Sequence, residues 1–97
     1  MIFIYEKPQA MSFWMRNTPT PLDIGFFRSD GTLVEEHALH PFDERPVASG
    51  GQDMRFALET HQGWYRAKGI KPGAKLDVAA LAAAVKARGF DPAKYGL

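Results

Sequence analysis

The apolar positions of this chain follow two different periods. Up to Thr60 they come in short runs or strict alternation, as strands require; beyond it they recur every three or four residues, as helices require. Ile2–Tyr5 is a continuous apolar run and predicts a buried strand that Pro8 ends. Ser12–Arg16 predicts a second strand, and its consecutive Phe13-Trp14-Met15 implies that both faces are covered. Asn17-Thr18-Pro19-Thr20-Pro21 must run extended, because each proline fixes its own φ and restricts the residue before it. Leu22–Arg28 and Thr32–Leu39 then form a hairpin about Ser29-Asp30-Gly31. A three-residue loop with Gly31 left-handed would pair Phe26 with Val34 and Phe27 with Leu33, whereas a two-residue Asp30-Gly31 loop shifts the register by one.

Residues 40–52 hold Pro41, Pro46, Gly50 and Gly51 without periodicity and predict a long loop. Met54–Thr60 alternates again and predicts a fifth strand. A short helix follows over Gly63–Lys68, with Gly69 as its cap and Ile70 folding back. Lys71-Pro72-Gly73-Ala74 fits a type II turn, and Lys75–Asp77 is a brief connector. Asp77 is the N-cap of a helix whose Val78, Leu81, Ala82 and Val85 share one face, and Gly89 ends it. Asp91-Pro92 repeats the cap-plus-proline pattern for a last turn. The elements predict a compact α+β domain, mainly an antiparallel, barrel-like sheet with one or two short helices and a C-terminal helix.

Ninety-seven residues make one domain, and a chain of this size buries roughly 65% of its unfolded surface. Twelve basic and eleven acidic residues are scattered without a run of like charge, which excludes the electrostatic footprint of nucleic-acid or anionic-membrane binding. With no cysteine there is no disulfide, thiolate nucleophile or Cys-based zinc site. The Met1–Tyr5 run meets Glu6 and Lys7 at once, so it is too short for a signal peptide or a membrane span. The chain is expected to be soluble and cytoplasmic as it stands, or periplasmic or secreted if its true start lies upstream.

Candidate chemistry is sparse. His37 and His40 sit among Glu35, Glu36, Asp43 and Glu44, but on a strand they face opposite sides, so no metal site is expected. Ser49-Gly50-Gly51 could turn its backbone N–H groups into an anion-binding concavity, although a tight turn before the next strand explains the glycines equally. Arg16-Asn17-Thr18 closes an apolar strand with polar groups, and Arg16 could clamp a carboxylate or phosphate. The plainer alternative is a structural pair between Arg16 and Asp23. Trp14, Trp64, Tyr65 and Tyr5 could stack on a ring or simply fill the core. Asp23, Asp43, Glu44 and Glu59 are the carboxylates available for acid–base work, and no Ser-His-Asp arrangement is evident.

The run Ser12-Phe13-Trp14-Met15-Arg16-Asn17-Thr18, followed by Pro21-Leu22-Asp23-Ile24, resembles the signature of the family called domain of unknown function 192. The Asp30-Gly31 hairpin, Pro46 with Ser49-Gly50-Gly51, Leu58-Glu59 with Gly63, and Gly69–Gly73 agree with it, over residues 1 to 78. The resemblance implies a strand-rich bacterial or archaeal domain without an agreed activity, in a family whose members often look exported or anchored and carry a further strand and helical segment upstream. It points to Arg16, Asn17, Thr18, Asp23, Ser49, Gly50, Gly51 and Glu59, with Trp14 beside them, as site candidates. Residues 79–97 lie past the family region and are expected to be a helical extension packed on the same domain.

The leading expectation is a non-enzymatic module for a small polar or anionic ligand, with no cofactor. A hydrolase using Asp23 or Glu59 as base and the Gly50-Gly51 amides as oxyanion donors is the alternative. A structural or partner-binding domain, with a homodimer through an unpaired edge of the first strand, is the third.

Overall fold

A computed structural model describes residues 1–97. Its main sheet has four antiparallel strands in the order β1 (Ile2–Gln9), β6 (Met54–His61), β3 (Leu22–Arg28) and β4 (Leu33–Leu39). A two-stranded ribbon, β2 (Ser12–Phe13) with β5 (Val47–Ala48), lies apart from it. Helices α1 (Trp64–Ala67) and α2 (Val78–Ala87) and a 3₁₀ turn (Pro92–Tyr95) complete an α+β domain. The sheet does not close into a barrel: β1 and β4 remain its two edges.

The hairpin settles its register through a bulge. Gly31 takes φ 89°, its N–H reaches Arg28 O at 2.9 Å, and Phe27 pairs with Leu33 across the three-residue loop. One residue on, Phe26 pairs with Glu35 rather than Val34, because the ladder slips between Phe26 and Phe27. Three further boundaries differ from the sequence expectation. β1 runs through Pro8 to Gln9, which an edge strand tolerates because it needs no donor there. The long loop contains β5, tied by Ser49 N to Met11 O at 2.8 Å. The second strand stops at Phe13, since Met15 N turns instead to Asp43 O.

Two cores sit on the two faces of the sheet. One gathers Met11, Met15, Ile24, Phe26, Leu39, Met54 and Ala57 beneath the β2–β5 ribbon. The other packs Phe27, Leu33, Phe56 and Tyr65 beneath the helices, with Leu81 and Leu97 against them. Gly25 makes the second core feasible: a Cβ there would meet the Tyr65 hydroxyl at 2.5 Å and its Cζ at 2.9 Å. Burial pushes the Tyr65 phenol above its ordinary pKa, so it stays neutral and donates to Leu58 O at 2.8 Å. The helix caps are those the sequence encodes: Asp77 accepts from Ala80 N at 2.9 Å and Asp91 from Ala93 N at 3.0 Å.

Candidate functional site

The sequence candidates fall into three places. The first is the loop after β2. Met15 is 3% exposed and anchors the loop in the core, while Trp14 beside it is 53% exposed, so only one face of this run is covered. Thr18 N bonds Met15 O at 3.1 Å, closing a turn in which Asn17 takes φ 58°. A second loop is tied to the first: Met15 N reaches Asp43 O at 2.8 Å and Phe42 N reaches Thr18 O at 3.0 Å. Asp43 is itself held by Arg45 through Nε at 3.0 Å and Nη2 at 2.9 Å. The Arg45 side chain, then the Arg45 backbone N–H, lower the Asp43 carboxyl to about 2.

On this frame the Arg16 guanidinium lies over the Trp14 ring, 5.5 Å from its centroid. Its one ion-pair contact is loose, Nε to Glu44 Oε1 at 3.5 Å, and its Nη groups have no protein partner on a side chain that is 58% exposed. Phe42, 62% exposed, stands on a left-handed backbone with φ 61°, a conformation that costs a bulky residue free energy and is kept by the Thr18 bond. Asn17 is exposed as well. The two loops therefore offer solvent an indole, a phenyl ring, a guanidinium and an amide on a backbone that hydrogen bonds hold in place.

The second place is the glycine turn. Its concavity forms, but a side chain of the protein fills it: Gly50 N donates to Glu35 Oε2 at 2.7 Å. Glu35 Oε1 lies 2.9 Å from His37 Nε2. Burial raises the Glu35 pKa, yet the His37 hydrogen bond and the Gly50 and Gly51 amides outweigh it and leave the carboxyl below its usual value. Ser49 is also committed, accepting from Met11 N at 2.9 Å and donating to Gly51 O at 2.8 Å. As a hydrogen-bond acceptor and donor in the backbone frame it is a structural group. Glu35 had only a weak sequence signal, the i, i+2 spacing that puts it on the same strand face as His37.

The third place is the far end of the sheet. Asp23 does not pair with Arg16; its Oδ2 accepts from Gly63 N at 2.8 Å and holds the start of α1. Glu59 lines an open cleft of about 450 Å³ with Leu22, Thr60, His61 and Trp64, and its carboxylate makes no ion pair. Trp64 packs edge-on against Tyr65 at 5.2 Å, half-buried, so of the aromatics weighed as a platform Trp14 alone is largely exposed. Of the candidates, Trp14, Arg16, Asn17 and Thr18 share one site, joined by Glu44, weighed from the sequence as a carboxylate for acid–base work, and by Phe42, which carried no sequence signal. No three or more His, Asp or Glu side chains converge in an arrangement that could hold a metal. No helix is long and apolar enough to cross a membrane.

No curated protein matches this sequence. Two crystal structures resemble it. A protein of unknown function from Novosphingobium aromaticivorans DSM 12444 shares 39% identity and a TM-score of 0.72, over 77% of this chain and 54% of that one. A candidate transcription regulator from Sinorhizobium meliloti 1021 shares 32% identity and a TM-score of 0.74, over 77% of this chain and 58% of that one. The chain thus spans little more than half the length of either. The family model of domain of unknown function 192 (DUF192), described as "Uncharacterized ACR", matches residues 1–78, and on that match the chain belongs to the DUF192 family.

Proposed function

We propose that this domain is a binding module for a small polar or anionic ligand, engaged by the Trp14–Thr18 loop with Phe42. The observation that carries the proposal is the Arg16 guanidinium over an exposed Trp14, 5.5 Å from the ring centroid, with its Nη donors free of protein partners. The cation–π contact holds the guanidinium over the indole, and its Nη N–H groups can serve a carboxylate or phosphate. Trp14 and Phe42 add rigid apolar area that costs little side-chain entropy to use. The pinned loops mean that binding need not first order the backbone.

The hydrolase reading has less behind it. The Gly50 amide that would serve as oxyanion donor already donates to Glu35, and the two carboxylates weighed as base, Asp23 and Glu59, lie at the far end of the sheet. The Sinorhizobium relative is described as a candidate transcription regulator, so a DNA duplex belongs among the probes, although the charges of this chain form no basic run.

Amide NMR titration with phosphate, carboxylates, nucleotides, sugars and a DNA duplex tests the proposal. Shifts confined to residues 13–18 and 42–45 are expected with a phosphate- or carboxylate-bearing probe. Arg16→Ala should then weaken binding about tenfold or more, the worth of a charge-assisted bidentate contact. A dispersed spectrum that no probe shifts at these loops would overturn the reading in favour of a structural or partner-binding domain.

A further inference from the structure

The two edges of the sheet are protected unequally. β4 carries Glu35, Glu36 and His37, charged or titratable side chains of the kind that discourage edge pairing. β1 opens with Ile2-Phe3-Ile4-Tyr5, and its charged residues and proline come only afterwards. The hydrogen-bond pattern shows which β1 groups are unpaired. Met1 and Glu59 exchange both backbone bonds, Met1 N to Glu59 O at 2.7 Å and Glu59 N to Met1 O at 2.8 Å. Antiparallel ladders alternate, so Phe3, opposite Ala57, also faces inward, and the N–H and C=O groups of Ile2 and Ile4 point out of the sheet.

Beside that open edge runs an apolar groove of about 510 Å³ between β1 and α2. Ile2, Ile4, Leu81, Val85 and Phe90 line it, and Arg88 is its one charged lining residue. Phe90 is 57% exposed, and Arg88 makes no ion pair. Unpaired strand groups accept a strand, and an apolar groove on the same face accepts that strand's side chains.

The geometry points to a second copy of this chain as the occupant, with β1 adding antiparallel to β1 of its twin about a two-fold axis at Phe3. In that register Ile2 of each copy pairs with Ile4 of the other, and the outward groups form four new hydrogen bonds. The apolar residues Met1–Tyr5 of each strand face one another. Glu6 of the second copy falls at the Met1 end of the first, on the sheet face that carries Arg88, while its own contact with Lys94 is a loose 3.9 Å. Acid meets base at both ends of the pair, and no like charges oppose across it.

Sedimentation equilibrium of the 97-residue chain, from about 5 to 500 µM, tests the proposal over the range of weak to moderate association. A mass of twice 10.8 kDa that grows in with concentration is expected. Arg88→Glu and Glu6→Arg should each weaken the dimer about tenfold, and the double exchange should recover most of that loss. Ile4→Pro removes an outward N–H without touching the β6 ladder and should leave a folded monomer, checked by circular dichroism. A folded monomer at every concentration overturns the proposal. So does a dimer that neither charge reversal nor Ile4→Pro weakens, since it would be built elsewhere.

Discussion

At the scale of single residues, the sharpest assignment is Glu35. Its carboxylate receives Gly50 N and His37 Nε2 together, so it clasps β4 to the turn that leads into β6. Removing it leaves a polar turn without its acceptor, and Glu35→Ala should cost about 1–2 kcal/mol in urea unfolding, the worth of hydrogen bonds to a partly solvated charge. The pH dependence has a definite sign. The folded pKa lies below the ordinary 4.5, so the clasp contributes fully above that value and is lost as the pH falls through the lowered folded value. The wild-type chain should therefore lose stability faster than Glu35→Ala as the pH drops below about 4.5. Parallel pH curves for the two proteins would show that the carboxylate is not clasped in solution. The sequence shows two glycines able to bind an anion; it does not show that the anion comes from fifteen residues upstream.

At the scale of elements, local rules and tertiary demands meet on β3. Its alternation and the Gly31 turn follow from nearby residues, and the caps at Asp77 and Asp91 need nothing beyond their own helix. Gly25 is different. It sits in the middle of a strand, where glycine is intrinsically unfavourable, and its reason lies forty residues ahead in the Tyr65 ring. Gly25→Ala should destabilise the domain by about 2–3 kcal/mol, because the ring is fixed on both sides and overpacking has no outlet. A thermal melt within a degree or two of wild type would mean that α1 can lift away at little cost. The run Phe13-Trp14-Met15 shows the same limit from the other side. Its three apolar residues read as a buried strand, yet the chain turns at Met15 toward Asp43 and turns Trp14 outward.

At the scale of the whole molecule, the question is how the last twenty residues belong to the rest. Leu81 and Leu97 pack on the second core, Val85 is 8% exposed, and Arg55 is 9% exposed beneath Gly96 while bonding Ser29 and Glu6 O. Residues 79–97 therefore close one face of the sheet. Deleting them should expose that core and lower the melting temperature by at least about 10 °C, since each kcal/mol is worth roughly 4–8 °C in a domain of this size. An unchanged melting temperature would make the segment an appendage.

The class of the fold, the antiparallel hairpin about Gly31, the helix caps and the family are all legible in the order of the residues. These depend on periodicity, on φ restrictions and on side chains that bond within a few residues, all of which are local. Which polar groups remain available depends on the folded arrangement. The Gly50 amide is spent on Glu35 and one Asp23 oxygen on Gly63, whereas the Nη groups of Arg16 above Trp14 have no protein partner. Residue type alone does not carry that distinction, because a hydrogen-bonding group is a structural element or a binding group according to what the folded chain brings to it.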